Sequence, residues 1–496
     1  MTSLLWALVA LQIAMGAFDT VFHHEGTERL AWRPSQRREL QLHGVRNLLY
    51  AVMFVTLGWA EPHGAFASVL IALLGVELVI TLWDFVEEDR TRRLPASERV
   101  THTLLTLNYG AILALLAPVL LGWAAMPAGL GSAYHGLWSW LCAGAAFGTA
   151  LFGVRDLAAA ARTLRLRDAD PGRLAAGMPR NSAILVTGGT GFIGSRLIAA
   201  LAAAGHDVTV LTRRRENAAA LPAPLRIVTD LAQIPSSARI DAIVNLAGEP
   251  IGNGLWTRAK RRRIVESRLG TTWALGRLIE RLDTRPKVLV SGSAIGWYGL
   301  RGDEPLAEDG DLRDCFSHRV CSAWEYAAQL AAGRGVRLVL LRTGLVLGRE
   351  GGVLSRMLGP FESGLGGRFG GGGQWMSWIH RDDLVRLILR AIADPKLAGP
   401  LNGTAPEPVS NAEFTRALGR ALRRPAILPV PAAPLRLVLG DFADELLLGG
   451  QRILPVKARA AGFRFDYPDL DGALAEIVGR TDPLATMPGR ARELAA

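Results

Sequence analysis

The sequence ILVTGGTGFIG at residues 184–194 decides the fold of this chain. Its apolar start has the length of a buried strand, and glycines follow at positions 188, 191 and 194, before an alanine- and leucine-rich helical segment. Strand, glycine turn and helix in this order let the backbone approach a pyrophosphate and point a helix N-terminus at it. The stretch therefore predicts a dinucleotide site; a glycine-rich turn without a ligand is the alternative.

Apolar runs of strand length alternate with helical stretches beyond this motif. The predicted strands are 183–187, 207–212, 226–228, 242–246, 287–291 and 337–342. The alternation predicts an α/β fold, a Rossmann-type doubly wound parallel sheet with helices on both faces. Ligands of such sheets bind at the carboxyl ends of the strands, so the residues after each strand are the candidate site.

The residues after the second predicted strand favour NADP over NAD. An NAD site usually has an acidic residue there, whereas this chain has a threonine and three arginines at 212–215. Guanidinium groups pair well with a ribose 2′-phosphate, although these arginines could instead only solvate a surface turn. The predicted cofactor-binding residues are Thr187, Gly188, Thr190, Gly191, Phe192, Ile193, Gly194, Thr212, Arg213, Arg214, Asp230, Ala247, Gly248 and Ser291.

The N-terminal third is far more apolar than the rest of the chain. The chain has 496 residues, half of them apolar, and a mean hydropathy of +0.22, with the excess before about residue 155. Apolar segments there approach the roughly 20 residues that a membrane-spanning helix needs. The five predicted spans are 4–22, 45–60, 66–86, 103–122 and 134–154, of which the second is short.

The arginines give these predicted spans a direction. Four arginines follow each of spans one, three and five, whereas no lysine or arginine follows spans two and four. The positive-inside rule then places the N-terminus outside and everything after residue 155 in the cytoplasm, at a bacterial inner membrane. Lipid headgroups are the natural partner of these arginines, so the net charge of +11 does not indicate nucleic-acid binding. The three cysteines show no metal-ligand spacing and no disulfide framework.

The predicted chain has four parts. An all-α transmembrane bundle spans residues 1–156, and a linker spans 157–181. The NADP-binding domain spans 182–400, and a small C-terminal cap of the same soluble part spans 401–485.

Several longer sequence motifs follow one another between residues 184 and 480. They include NLAGEPI at 245–251, SGSA at 291–294, GLGG at 364–367, SWIH at 377–380 and GFRF at 462–465. Together they resemble the extended short-chain dehydrogenase/reductases, and specifically an atypical, epimerase-like branch of uncertain activity that carries a short C-terminal module. The resemblance implies an NAD(P)-binding oxidoreductase or epimerase-like enzyme.

The usual catalytic pair of that superfamily is missing. Its catalytic members use a tyrosine with a lysine four residues later, whereas none of the six tyrosines here has a lysine at that position, and Ser317 and Cys321 stand in the matching places. The remaining catalytic candidates are Ser293, expected after the fifth strand to polarise a substrate, Tyr298 as a phenol, and Glu249 as a general base.

The roles of some other residues of this half follow less directly from the sequence. Cys321 is expected to be a small buried residue that packs a helix, with a reactive thiol as the alternative, and His318 is expected to be a surface helix residue, with a base as the alternative. His380 and Asp383 are expected to fasten the loop after the glycine-rich segment 364–373. That segment predicts a lid or a backbone that presses close to a ligand, with a disordered surface loop as the alternative.

The predicted spans carry pairs of polar residues four positions apart. The pairs are Asp19 and His23, Glu39 and His43, Asp84 and Glu88, and Glu98 and His102, all at cytoplasmic helix ends. Such groups on neighbouring helices suit a di-metal site, or histidine ligation of a haem; interfacial pairing with arginines is the alternative. The candidate metal ligands are His23, His43, Asp84 and His102.

Three functions follow from these observations. The first is a membrane-anchored NADP(H)-binding oxidoreductase or epimerase-like enzyme, whose small-molecule substrate is unnamed and could be lipid-soluble. The second is a non-catalytic NADP-dependent sensor or scaffold. In the third, the membrane half is the enzyme and the soluble half is its reductase. This function requires a metal in the membrane half.

Overall fold

A computed structural model of the protein describes residues 2–333 and 335–481. The chain divides into two compact units, of which the first ends at Arg167 and the second begins at Asp168. Residues 482–485 of the predicted C-terminal segment lie outside the described residues.

Five long helices form the first unit. They are α1 (Ser3–Phe18), α2 (Arg37–Trp59), α3 (Ala65–Thr91), α4 (Ala96–Ala124) and α5 (Leu137–Thr163). Helix α1 continues as a π-helix, Asp19–Glu28, and two 3₁₀ turns, Leu30–Trp32 and Pro34–Gln36, lead into α2. Strands β1 (Ala60–His63) and β2 (Gly129–Ser132) pair antiparallel in the connections after α2 and α4.

Four helical segments among the described residues are long and apolar enough to cross a membrane. They are Ser3–Trp32, Ala65–Thr91, Ala96–Ala124 and Leu137–Thr163. Helix α2 contains all but the last residue of the predicted second span and is not among the four. It carries Arg37, Arg38, Glu39 and Arg46 in its first ten residues, and charged groups are costly in hydrocarbon.

Helices α2 and α5 approach each other closely at glycines. A Cβ atom placed on Gly44 would lie 2.7 Å from Leu157 Cγ, and one on Gly58 would lie 2.7 Å from Cys142 Cβ. On α5, a Cβ atom on Gly153 would lie 2.9 Å from the carbonyl oxygen of Gly44. Small residues allow helix backbones to pack this closely. The α2–α5 pair therefore depends on glycine at all three positions.

A parallel sheet of seven strands organises the second unit. The strands of this unit within the described residues, in chain order, are β3 (Ala183–Thr187), β4 (Asp207–Leu211), β5 (Arg226–Val228), β6 (Ala242–Asn245), β7 (Val288–Ala294), β8 (Pro305–Leu306), β9 (Arg337–Thr343), β10 (Leu345–Leu347), β11 (Trp375–Met376), β12 (Trp378–His380), β13 (Gly399–Gly403), β14 (Val409–Ser410) and β15 (Arg452–Ile453). The main sheet has the order β13-β9-β7-β6-β3-β4-β5.

Helices connect and flank these strands. In chain order they are α6 (Pro171–Leu174), α7 (Phe192–Ala203), α8 (Arg258–Arg281), α9 (Phe316–Ala332), α10 (Leu354–Glu362), α11 (Arg381–Ala393), α12 (Asn411–Leu422), α13 (Ala432–Leu439), α14 (Asp441–Ala443), α15 (Val456–Ala460) and α16 (Leu470–Ile477). Shorter turns of helix occur at Arg215–Ala218, Leu231–Gln233, Ile295–Tyr298 and Asp444–Leu448.

Apolar side chains alternate between the two faces of the sheet. Along β3, Leu185 packs in one core with Leu275 and Ile279 of α8, while Val186 packs in the opposite core with Leu197 of α7. Successive side chains of a strand point to opposite faces, so two helical layers cover the sheet. The predicted α/β, doubly wound Rossmann-type fold is therefore confirmed.

Candidate functional site

The strand order reverses at β3, which is hydrogen-bonded to β4 on one side and to β6 on the other. The chain passes from β3 through α7 to β4, and later returns to the opposite side of β3 as β6. Ligands of open parallel sheets bind in the crevice at such a switch point, beyond the carboxyl ends of the strands. The residues after β3, β4 and β6 consequently share one site.

The glycine turn after β3 leaves no room for side chains at two of its positions. Gly188 has a φ of 69°, and a Cβ atom there would lie 2.6 Å from the backbone of Leu246. A Cβ atom on Gly194 would lie 2.3 Å from the carbonyl oxygen of Gly188. Both glycines are thus required by the packing of the turn, whereas Gly191 and Thr190 are exposed at its mouth.

Helix α7 begins directly after this turn with an open N-terminus. Its N-cap is Gly191, and no side chain among the described residues caps it. The backbone N–H groups of the first turn, at Phe192, Ile193 and Gly194, are then available to an anion, and the helix dipole favours negative charge there. Gly351 packs directly against the side chain of Phe192, because a Cβ atom on Gly351 would lie 2.5 Å from the Phe192 Cγ.

A buried side-chain network holds the ends of β3, β6 and β7. The Thr187 hydroxyl donates to Asn245 Oδ1 at 2.7 Å and accepts from the Ala247 N–H at 3.3 Å. Asn245 donates from Nδ2 to Thr272 Oγ1 at 2.9 Å, and the Ser291 hydroxyl lies 3.5 Å from the same nitrogen. Thr187 and Ser291 are fully buried, so their side chains support the turn, and a cofactor contact from them stays a prediction.

Exposed arginines follow β4. The buried Thr212 hydroxyl donates to the Arg214 carbonyl oxygen at 3.0 Å and fixes the turn, which leaves the side chains of Arg213 and Arg214 exposed. Asp230, after β5, is also exposed, and its carboxylate accepts from the Ala232 N–H at 2.9 Å. Because this contact is local, Asp230 retains a free face toward solvent.

Glu249 lies in the loop after β6 as half of an ion pair. Its Oε1 accepts from Lys260 Nζ at 2.7 Å, and Lys260 itself is buried. This hydrogen bond lowers the pKa of Glu249, with a smaller contribution from the charge of Arg213. A carboxylate held in its ionised form is a weaker proton acceptor, so the geometry favours binding or orientation over the predicted role of general base.

Arg268 shapes the same loop and was not singled out by its chemistry in the sequence. Its guanidinium donates to the carbonyl oxygen of Glu249 at 3.1 Å and lies 5.1 Å from the ring centre of Trp324. A Cβ atom on Gly248 would lie 3.0 Å from its Cζ. Gly248 is therefore small because the guanidinium lies against it.

Ser293 and Tyr298 are enclosed by protein. Strand β7 continues to Ala294, so Ser293 lies inside the strand and not after it as predicted, and its hydroxyl donates to Glu325 Oε1 at 2.7 Å. Tyr298 is fully buried, its hydroxyl donates to Asn402 Oδ1 at 2.7 Å, and burial raises its pKa. The geometry offers neither hydroxyl to a substrate, and both catalytic roles stay predictions without support from it.

The positions that replace the tyrosine and lysine also have structural partners. The Ser317 hydroxyl donates to Glu445 Oε2 at 2.6 Å. Burial raises the pKa of Cys321 to about 12, which keeps it a thiol. His318 is buried, with Nδ1 bonded to the carbonyl oxygen of Trp297 at 2.5 Å, and is not the surface residue that the sequence suggests.

His380 and Asp383 anchor the C-terminal segment, and not the loop after the glycine-rich segment as expected. His380 Nε2 lies 3.0 Å from Glu476 Oε2. The carboxylate of Asp383 accepts from the backbone N–H groups of Asp466 and Tyr467 at 2.8 and 2.9 Å. These contacts tie the start of α11 to residues near α16.

The glycine-rich segment 364–373 packs against the residues that precede α13. The N–H groups of Leu428 and Val430 donate to the carbonyl oxygens of Gly366 and Arg368 at 3.1 and 2.9 Å. A Cβ atom on Gly367 would lie 1.6 Å from the carbonyl oxygen of Leu428. The glycines thus permit close packing against the protein's own backbone, which none of the three interpretations, a lid, a ligand contact or a disordered loop, anticipated.

In the first unit, the four predicted polar pairs converge. His43 Nε2 lies 2.8 Å from Asp84 Oδ2, and His102 Nδ1 lies 3.4 Å from Glu88 Oε2. Asp84 also accepts from Arg46 at 2.8 Å. The convergence is the feature that the four-residue spacing predicted.

The predicted ligand set needs two corrections. His23 bonds to Asp19 Oδ1 at 2.8 Å and to Ser97 Oγ at 3.3 Å, and His24 takes the central place instead. The π-helix is the cause, since its i→i+5 bonding brings His24 beside Asp19, at 3.3 Å. Asp84 is occupied by His43 and Arg46 and lies outside the groups of convergent metal-ligand atoms.

Comparison with known proteins places the second unit in a family. The model of the NAD dependent epimerase/dehydratase family matches residues 184–402, and that of a domain of unknown function, DUF1731, matches residues 430–477. Epimerase family protein SDR39U1 of Bos taurus is 42% identical over 300 residues, which cover 60% of this chain and 99% of that protein. Epimerase family protein YfhF of Bacillus subtilis is 37% identical over 301 residues, covering 60% of this chain and 97% of its own length.

Crystal structures give the same result. Human epimerase family protein SDR39U1 (isoform 2) with NADPH is 37% identical, has a TM-score of 0.56, and is matched over 60% of this chain and 100% of its own. The nucleoside-diphosphate sugar epimerase from Corynebacterium glutamicum is 30% identical, with a TM-score of 0.51 over 70% of this chain and 67% of its own. This chain therefore belongs to the epimerase family that includes SDR39U1, as an NAD(P)-binding protein with a C-terminal DUF1731.

Proposed function

We propose that this protein is an NADPH-binding oxidoreductase or epimerase-like enzyme that its first unit anchors in a membrane. The observation that carries the proposal is the pairing of an open α7 N-terminus with two exposed arginines after the neighbouring strand β4. The first feature suits the pyrophosphate of a dinucleotide, and the second suits a phosphate on its ribose.

The preference for NADPH follows from charge. Residues 212–215 contain three arginines and no carboxylate that could accept from a ribose 2′-hydroxyl. The human relative with 37% identity is described with NADPH, which supports the same choice here. NADPH would supply a hydride when bound, while Arg213 and Arg214 would hold its 2′-phosphate and the α7 N-terminus its pyrophosphate.

The membrane anchor is supported by length, apolarity and charge. Four apolar helical segments of the first unit are long enough to cross a bilayer. The arginine-rich connections after α1, after α3 and after α5 favour the cytoplasmic side for all three. We infer that α2, whose charged first ten residues would lie at the cytoplasmic end, crosses as a fifth span. The N-terminus then lies outside a bacterial inner membrane and the second unit faces the cytoplasm, with a small molecule as substrate and lipid as partner.

A second candidate function has specific support. Ser293 and Tyr298 are enclosed, and Cys321 is a buried thiol, so the hydroxyl and thiol groups nearest the expected catalytic place already have structural partners. A protein that binds NADPH tightly without using it chemically, as a sensor or scaffold, fits these observations. If the protein is an enzyme, the ion pair between Glu249 and Lys260, in the loop after β6, is the remaining candidate for a role in the reaction.

The cofactor proposal is tested on the full-length protein in detergent by titration with NADPH and NADH. Arg213→Glu and Arg214→Glu should each weaken NADPH binding about ten- to hundredfold, since each removes a hydrogen bond to a charged group, and should leave NADH binding within about threefold. Arg277→Glu, an equal charge change at an exposed position of α8, is the matched control. Equal losses for both cofactors would contradict the 2′-phosphate assignment.

Activity separates the two candidate functions. The full-length protein is incubated with NADPH and fractions of a membrane extract while the absorbance of NADPH is followed. Oxidation that Lys260→Met abolishes, at unchanged NADPH affinity, supports the enzyme. Tight binding without oxidation by any fraction supports the sensor or scaffold.

A further inference from the structure

The first unit holds a buried cluster of imidazoles and carboxylates that the dinucleotide site does not use. Two groups of potential ligand atoms lie in it, each with all its atoms within 4.8 Å of one another. The first group is His24, Glu88, Glu98 and His102, and the second is Glu39, His43 and Glu88. Glu88 belongs to both groups, so the cluster offers two adjacent positions bridged by one carboxylate.

The spacing of these atoms suits an ion between them. His24 Nε2 lies 3.7 Å from Glu98 Oε1, and His43 Nε2 lies 3.8 Å from Glu88 Oε1. These separations are too long for hydrogen bonds. Ligand atoms that bind one ion at about 2.1 Å stand about 3 to 4 Å apart, which is the range observed here.

Three of the ligand atoms have no hydrogen-bond partner of suitable geometry among the described residues. They are His24 Nε2, His43 Nε2 and Glu88 Oε1, and all three residues are more than nine-tenths buried, although His43 Nε2 lies 2.8 Å from Asp84 Oδ2. The nearest carboxylate oxygen to His24 Nε2, from Asp19, is 3.3 Å away. Buried polar atoms are rarely left unpaired, and an ion is one of the partners that resolves such a case.

The negative charge of the cluster also favours a bound cation. Five carboxylates meet in the cluster, from Asp19, Glu39, Asp84, Glu88 and Glu98. Two guanidiniums reach them: Arg46 donates to Asp84 at 2.8 Å, and Arg92 lies 2.9 Å from Glu39 and 2.7 Å from Glu98. The carboxylates outnumber the guanidiniums, and a buried excess of charge requires compensation by metal or by proton.

A cavity connects the cluster to its surroundings. It measures about 380 Å³, and its lining includes Glu88 and His102 together with Phe85, Leu94 and Leu107. Metal sites that act on a substrate keep one coordination position open to such a space. A small molecule with an apolar body could therefore reach an ion held at the first group.

The donors identify the class of ion. Imidazoles mixed with carboxylates suit zinc, iron or manganese better than calcium or magnesium. The rings of His24 and His43 stack face to face, with centres 4.5 Å apart and planes 7° apart, so they cannot be the opposed axial ligands of one haem. We propose that His24, Glu88, Glu98 and His102 bind a divalent first-row transition-metal ion, and that Glu39 and His43 complete a second position that shares Glu88.

The test uses the full-length protein in detergent, treated with a chelator and titrated with Co²⁺, whose weak visible d–d absorption in water intensifies and shifts when protein ligands bind the ion. We expect saturation at one to two ions per chain. His24→Ala and Glu98→Gln should each weaken Co²⁺ binding at least about tenfold. His63→Ala, in β1 and away from the cluster, is the matched control and should bind Co²⁺ like the unmodified protein.

Folding is monitored separately by circular dichroism and by NADPH binding to the second unit. If a variant loses helical signal, the unfolding temperature of the unmodified protein is measured instead. It should rise when Co²⁺ is added and fall again when a chelator is added. An ion-pair network alone would give a chelator-insensitive unfolding temperature and less than one Co²⁺ per two chains. Either that result or unchanged Co²⁺ binding in folded His24→Ala overturns the proposal.

Discussion

Arg342 and Glu325 form a two-pronged ion pair in the interior of the second unit. Arg342 donates from Nε to Oε1 at 2.9 Å and from Nη2 to Oε2 at 3.0 Å, and both residues are buried. The guanidinium also donates to the Tyr298 hydroxyl at 3.1 Å, and the carboxylate accepts from Ser293. One pair therefore joins β7, α9 and β9 below the crevice and occupies the hydroxyls expected to be catalytic.

Glu325→Gln should destabilise the second unit strongly. The change leaves the Arg342 guanidinium buried without a counter-charge, which costs about 3–5 kcal/mol in the free energy of unfolding. Thermal unfolding of the full-length protein, followed by the loss of NADPH binding, measures the effect. The control is Glu266→Gln in the exposed Arg262–Glu266 pair, which should unfold like the unmodified protein. An equally stable Glu325→Gln variant would show that the pair contributes nothing to the fold.

Much of the fold could be predicted because periodicity and strand length are local properties. All six predicted strands occur, and their boundaries shift by at most three residues. The seventh strand of the sheet, β13, was not predicted because its sequence, GPLNG, has neither alternation nor β-branched residues. Its strand form comes from parallel pairing with β9.

The site was harder to predict where a side chain is buried and pairs with a residue that is distant in the sequence. The glycine turn and the arginines after β4 are contiguous motifs, so their positions follow from sequence. The partners of Arg342, by contrast, lie 17 and 44 positions away, and no spacing rule connects them. An arginine inside a buried strand was the available signal, because such a charge requires a partner. Similarly, α-helical spacing selected His23, whereas the π-helix places His24 in the cluster.

Gly191→Ala should weaken cofactor binding in a folded protein. A Cβ atom there would lie 3.2 Å from the Gly188 carbonyl oxygen, which a small shift relieves, but the methyl group would stand where the α7 N-terminus meets a pyrophosphate. We expect NADPH binding to weaken at least about tenfold, corresponding to about 1.4 kcal/mol. Gly270→Ala in α8, where the added atom meets nothing within 4 Å, is the control and should bind normally. Unchanged affinity in Gly191→Ala would place the pyrophosphate elsewhere.

Cys321 should resist alkylation in the folded protein. Its thiol is enclosed and its pKa is raised to about 12, mainly by burial, so almost no thiolate forms near neutral pH. Iodoacetamide at pH 8 should label it only after unfolding, as peptide mass spectrometry would show. Cys321→Ser should also leave NADPH binding and any NADPH oxidation unchanged. Rapid native labelling, or loss of oxidation in that variant, would return Cys321 to the catalytic candidates.

Asp382 should make the second unit sensitive to acid. Burial alone would raise its pKa, but the hydrogen bonds and charge of Arg196, at 2.8 and 2.7 Å, bring the pKa down from 3.8 to about 2. A depressed carboxylate pKa gives stability that is present above the unfolded value and is lost as the pH falls toward the folded value. The loss should therefore occur between about pH 4 and pH 2 and amount to about 2 kcal/mol. Unfolding temperatures across this range should fall less steeply for Asp382→Asn than for the unmodified protein, and equal slopes would show that Arg196 does not hold Asp382 ionised.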